Sequence, residues 1–180
     1  VNDMVSHKRL LPVLLVAGLI VAGAVGPGAT GSEASAVSEA RSPLHTLVVP
    51  AAAFVPAYGT FDYVNSGYEL ASLSGFPGYV ALVQFPYPAV TIKRIILYAY
   101  DNGSGDFTVH LGRSRPATGA GAITAILKSN GQSTADPRAF TTAAISPRVV
   151  NSAYHGVYLT LLPPTGPTYN FYGVVIRYEA

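Results

Sequence analysis

The segment Asp101-Asn102-Gly103-Ser104-Gly105-Asp106 sets two carboxylates and an amide around two glycines, and oxygen-rich loops of this composition can coordinate Ca²⁺. Asp101 and Asp106 are the residues that would hold such an ion. The loop lacks EF-hand spacing, however, and has no Glu behind it for bidentate ligation. Asx side chains also close turns by bonding their own backbone, which accounts for the same residues without an ion. His45, His110 and His155 show neither the i, i+4 nor the HExxH spacing of a zinc site. No metal and no cofactor is expected.

Other chemistries find equally little footing. There is no Cys and no GxSxG elbow, and the Ser-rich stretch from Ser66 to Ser74 has only Glu69 beside it. Beyond residue 36 the acids are Glu39, Asp62, Glu69, Asp101, Asp106, Asp136 and Glu179. Most of them fall in expected turns or termini, which argues against the paired carboxylates of a glycosidase. No GxxxxGK[ST] phosphate loop occurs, and the GSG at 103–105 lacks the helix of a dinucleotide fingerprint. Leu162-Pro163-Pro164-Thr165-Gly166 satisfies the LPxTG sorting pattern. The stretch C-terminal to this motif is short, carries Asn170 and Arg177, and is no apolar stop segment, so a Pro-rich hairpin loop is expected. The chain is expected not to be an enzyme.

Tyrosine is the remaining binding chemistry. Of 12 Tyr, Tyr63, Tyr68, Tyr79 and Tyr87 fall in the loop-rich first part of the expected domain and are the candidate ligand-binding residues. Tyr98, Tyr100, Tyr158, Tyr172 and Tyr178 fall on expected strands. A Tyr buries its ring while keeping its hydroxyl wet, so it suits sheet packing, sugar stacking and subunit interfaces alike. The lack of Trp removes the largest stacking face.

The elements that must position these residues are strands. From Leu47 onward no helical period is sustained, whereas runs of β-branched and aromatic residues alternate with Gly, Pro, Asn and Asp. About eight strands are expected, packed as an antiparallel β-sandwich of jelly-roll-like form. Val90 to Tyr100 is apolar on both parities after Arg94, which predicts a central strand covered on both sides. With Phe107, Val109 and Leu111 on one face of the next strand, the two are expected to form a hairpin about the Asp101–Asp106 turn. Val157, Leu159 and Leu161 are expected on one face, and Tyr172, Val174, Ile176 and Tyr178 on one parity of the last strand.

At the N-terminal side, the basic pair Lys8-Arg9 precedes an uncharged apolar run from Leu10 to Val25, and Ala34-Ser35-Ala36 supplies a small-x-small site. This pattern predicts a signal peptide over 1–36, a flexible segment over 37–45 and a β-sandwich domain over 46–180. Contact with a membrane is expected only through that first segment, were it to stay uncleaved, and the chain is expected to be secreted, extracellular and free of disulfides. A formal charge of +2 with only 11% charged residues argues against a nucleic-acid binder, which would normally show a basic stripe. A surface so poor in charge instead favours self-association or a cell-surface partner.

Three blocks carry a resemblance: YDNGSGDFTVHL (Tyr100 to Leu111), VVNSAYHGVYLTL (Val149 to Leu161) and YGVVIRY (Tyr172 to Tyr178). Together they resemble a C-terminal β-sandwich module of an uncharacterised family of bacterial exported proteins. The resemblance implies a fold and an exported context, and it transfers no activity and no site residues. The expected function is an exported, non-enzymatic structural or binding module of the bacterial cell exterior that acts by surface association. The alternative is a carbohydrate-binding module that holds polysaccharide with exposed Tyr.

Overall fold

Short apolar runs punctuated by Gly, Pro and Asn become strands wherever alternate residues can be buried together. A computed structural model describes residues 42–58, 62–74, 78–130, 136–166 and 168–180. These belong to one compact unit, Ala40–Ala180. The expected signal peptide and the first part of the expected flexible segment lie outside the described residues. Leu44 and His45, at the end of that segment, already belong to the first strand.

The described residues form twelve strands and one 3₁₀ turn, Ala51–Ala53. The strands are β1 (Leu44–Pro50), β2 (Val55–Tyr58), β3 (Tyr63–Asn65), β4 (Leu70–Ser72), β5 (Gly78–Val83), β6 (Ala89–Asp101), β7 (Thr108–Arg115), β8 (Ala120–Lys128), β9 (Arg138–Thr142), β10 (Val149–Asn151), β11 (Gly156–Leu162) and β12 (Tyr169–Glu179). The sequence predicts about eight; β2, β3 and β10 escape it because each is only three or four residues long.

Two sheets pack face to face as an antiparallel β-sandwich of jelly-roll form. The seven-stranded sheet runs β10-β6-β12-β4-β3, with β1 also pairing β12 and β9 also pairing β6. The five-stranded sheet runs β2-β5-β11-β7-β8. Every ladder is antiparallel.

The core between the sheets is aliphatic with an aromatic seam. Phe54 packs edge-on against Phe171 at 4.7 Å between ring centres, and Phe107 meets Phe171 at 6.5 Å and Tyr169 at 6.1 Å. Val157, Leu159 and Leu161 are buried on one face of β11, as are Val109 and Leu111 on β7, in agreement with their alternation.

Two expected connections are corrected. β6 and β7 do not form a hairpin, because β6 lies in the seven-stranded sheet and β7 in the five-stranded one. Each strand buries a full apolar side, Val90, Ile92, Ile95, Leu97 and Ala99 on β6 against Phe107, Val109 and Leu111 beside and on β7. Facing these sides across the core buries both at once. The intervening loop arches between sheets and is pinned by Asn102 N–H to Thr168 O (3.1 Å) and Gly105 N–H to the Tyr169 hydroxyl (3.0 Å). A Cβ at Gly103 would lie 2.0 Å from that same hydroxyl, so only glycine lets the phenol sit under the loop. Likewise, the LPPTG stretch joins β11 of one sheet to β12 of the other, and is a crossover with Gly166 N–H bonded to Ser72 O (3.0 Å).

Candidate functional site

β6 and β12 pair through the middle of the seven-stranded sheet, and each contains a bulge that decides which residues face solvent. On β12, Phe171 pairs Ala99 and Gly173 pairs Tyr98, so Tyr172 is the extra residue. On β6, Arg94 pairs Arg177 and Ile92 pairs Tyr178, so Lys93 is the extra residue. A bulge shifts the in/out alternation by one. Tyr169 and Phe171 before the first bulge and Val174, Ile176 and Tyr178 after it all point into the core. Tyr172 therefore departs from the parity expected for it and joins the outer face.

Among the described residues no further layer covers that outer face, whereas the apolar residues on both parities of β6 lead one to expect a cover on both sides. Tyr98 is 41% exposed, Val48 on β1 is 61% exposed, and Val175 and Tyr172 are half-buried. Together with Pro137 these residues wall an open groove of about 430 Å³. Gly173 permits this shape. Its φ is +152°, and a Cβ there would stand 2.7 Å from Val49 O and 3.2 Å from the Pro50 Cα. Only glycine lets β1 lie this close beside the bulge and bring Val48 to the groove.

Further along the same face the chemistry changes from apolar to basic. Ile96 pairs Val175, and two positions beyond, Arg94 stands opposite Arg177. With Leu44, Lys93 and Ile96 the two arginines line a second hollow of about 380 Å³. Lys93 Nζ is held by Glu179 Oε2 at 2.7 Å, which neutralises it. Among the described residues, neither Arg94 nor Arg177 has an acidic partner, and both are exposed.

The sequence candidates are placed elsewhere. Tyr79 lies on β5 with no exposed surface, its ring edge-on to Tyr63 at 5.6 Å. Burial pushes its phenol up to about 12, opposed in part by the Ser72 hydroxyl. Tyr63 is partly exposed on β3, and Tyr68 is 70% exposed in the turn between β3 and β4. Tyr87 joins a separate cluster, 5.1 Å from the His45 ring and 6.4 Å from Tyr178, whose own phenol is raised by burial first and by Tyr87 second. The four tyrosines do not share one surface.

Asp101 is turned into the core, where its Oδ2 accepts a hydrogen bond from the Ser129 hydroxyl, and Ser129 Oγ in turn accepts the Phe107 N–H at 2.9 Å. Its Oδ1 is buried and, among the described residues, has no hydrogen-bond partner. Asp106 is half-buried on the loop. Among the described residues no three His, Asp or Glu side chains lie close enough together to hold a metal ion. His110 sits half-buried on β7, its pKa lowered by burial and then by Lys128, and His155 Nδ1 lies 3.1 Å from Asn151 O.

Tyr98, Tyr172, Val48, Pro137, Arg94 and Arg177 are not among the sequence candidates. The signal for them lies in β6 itself, whose apolar residues on both parities mean either a second covering layer or an exposed binding surface.

No family model matches the chain, and no curated protein matches it. Several solved structures are similar. One is the carbohydrate-binding module CBM36 in complex with calcium and xylotriose, at 14% identity and TM-score 0.43, covering 74% of this chain and 99% of that one. Another is the CBM22-1 and GH10 modules of Clostridium thermocellum xylanase 10B with xylohexaose, at 14% identity and TM-score 0.47, covering 76% of this chain and 28% of that one. A third is the xylan-binding module CBM15, at 12% identity and TM-score 0.43, covering 77% and 99%.

Proposed function

We propose that this chain is an exported, non-catalytic binding module that takes a polysaccharide strand across the outer face of its seven-stranded sheet. The observation that carries the reading is the open groove in which Tyr98 and Tyr172 stand with Val48, Val175 and Pro137. Sugar rings present apolar C–H faces and a polar rim, and Tyr offers a flat apolar ring ending in a hydroxyl, so the two surfaces match. The aromatic walls stand on paired strands, which hold their geometry better than loops would. An open groove admits a chain at any point along its length, as a polymer requires. The described groove walls bring no carboxylate or imidazole together, which supports binding without bond cleavage. The basic pair and apolar run near the N-terminus support an exported setting.

The size of the effect is set by exposure. An aromatic side chain presents roughly 150–250 Å² in all, and 41% of that for Tyr98 is about 80 Å². Covering it contributes about 2 kcal/mol, or roughly thirtyfold in affinity. The test is affinity electrophoresis of the full chain through gels holding soluble neutral and acidic polysaccharides. Retardation by at least one polymer, lost in Tyr98→Ala and kept in Tyr68→Ala, is expected. No retardation by any polymer, or equal retardation of Tyr98→Ala and the parent, would contradict the proposal.

A further inference from the structure

We infer that the polysaccharide is acidic, with carboxylates spaced along it, as in a uronic-acid polymer, and that Arg94 and Arg177 are the residues that read its charge. The inference rests on the proposed binding face and extends it by naming the ligand class. The register carries it. Arg94 and Arg177 are directly opposite across the β6–β12 pair, and like charges in that relation repel. The cation beside them, Lys93, is already matched by Glu179, so the face keeps a surplus charge at that one place.

The charge lies on the same solvent face as the tyrosine groove. Tyr98 is four residues from Arg94 along β6, which is about 13 Å of extended strand. Ile96 and Val175 form an apolar bridge between the two hollows. A ligand lying over Tyr98 and continuing along β6 therefore meets the arginine pair within a few sugar rings. Guanidinium groups offer paired N–H donors that match a carboxylate in bidentate fashion, and they do so better than a Lys would.

The density of charge separates uronate polymers from nucleic acids. Two guanidiniums without an acidic partner among the described residues, flanked by apolar side chains, suit a ligand that alternates apolar ring faces with single carboxylates. A phosphate backbone needs a longer basic stripe, and a chain of net charge +2 does not supply it.

The test holds ring shape constant and changes only charge. Polygalacturonate, alginate and glucuronoxylan are each compared with the same polymer after its carboxyls are converted to methyl esters, using the full chain in low-salt buffer. The acid form of at least one polymer is expected to bind roughly five- to tenfold tighter than its ester, as two exposed ion pairs allow. That preference should shrink as salt is raised. Arg94→Gln with Arg177→Gln should abolish the preference while leaving affinity for the ester form unchanged, since neither side chain walls the tyrosine groove.

Equal binding of acid and ester forms for every polymer, with Tyr98→Ala still weakening both, would overturn this inference and leave the proposed binding face standing. Loss of binding to all forms would remove both. Binding to single-stranded DNA as tight as to the uronate polymers would also overturn it, by making the arginine pair a general polyanion site.

Discussion

Replacing Gly173 by Ala acts on the point where the groove is shaped. Its backbone φ of +152° is one that side-chain-bearing residues adopt rarely, and holding Ala there costs about 1–3 kcal/mol. The added methyl would also come within 2.7 Å of Val49 O and 3.2 Å of the Pro50 Cα. These are backbone atoms, so no rotamer change relieves the contact, and β1 would have to back away from β12. That ladder covers Leu44 to Pro50 against Gly173 to Glu179, so a shift at its end loosens a seven-residue strand. Together the effects predict a loss of about 2–4 kcal/mol, which lowers the melting temperature by roughly 8–16 °C for a domain of this size. Because the chain has no Trp, urea unfolding is followed by circular dichroism and tyrosine fluorescence. Ligand affinity should fall as well, since Val48 rides on β1. A Gly173→Ala protein within about 0.5 kcal/mol of the parent would refute the argument that glycine is required at this bulge.

Two buried polar groups give further outcomes. Asp101→Ala leaves the Ser129 hydroxyl without its acceptor and should cost about 1–3 kcal/mol in urea unfolding, while added calcium or chelator leaves the parent's melting temperature unchanged. An Asp101→Ala protein as stable as the parent would contradict the first part, and a rise of several degrees with calcium would place an ion on the Asp101 carboxylate. The neutral Tyr79 phenol is favoured by the fold, since its pKa is pushed up to about 12 from 10.0. Its contribution is therefore whole below pH 10 and is lost as pH rises through 12, on the order of 2–3 kcal/mol. Tyr79→Phe should flatten the stability profile in that window, and an unchanged profile would refute the assignment.

The class of fold was legible because alternation and turn residues are local signals. Val109 and Leu111, or Val157, Leu159 and Leu161, need only the two-residue period to declare a buried side, and all of them are buried. The placement of β6 and β7 in different sheets was not legible. A Gly-rich turn looks the same whether it closes a hairpin or carries the chain to the opposite sheet, and the choice depends on which apolar sides must face each other. Nor were the bulges legible at Lys93 and Tyr172, because an extra residue leaves no mark in composition and becomes visible only as a slip in register. Strict parity groups Tyr172 with Val174, Ile176 and Tyr178, although it faces the other way.

The candidate site failed to stand out for a related reason. Loop tyrosines such as Tyr79 look accessible in sequence, yet β5 buries it wholly, whereas Tyr98 on a strand with apolar residues on both parities looks covered and is open. Whether a second apolar side is packed or bare depends on a third layer, and only the topology shows that the described residues form none there. The Arg94 and Arg177 pairing likewise joins residues from strands that are distant in sequence and adjacent in the sheet.

The most direct measurement is titration calorimetry of the full chain with the polysaccharide that retards it most, run beside Tyr98→Ala and Tyr172→Ala. The account predicts that both variants unfold at nearly the parent's temperature and bind roughly ten- to thirtyfold more weakly. Parent-like affinity in both variants would move the ligand off this face and contradict the central claim.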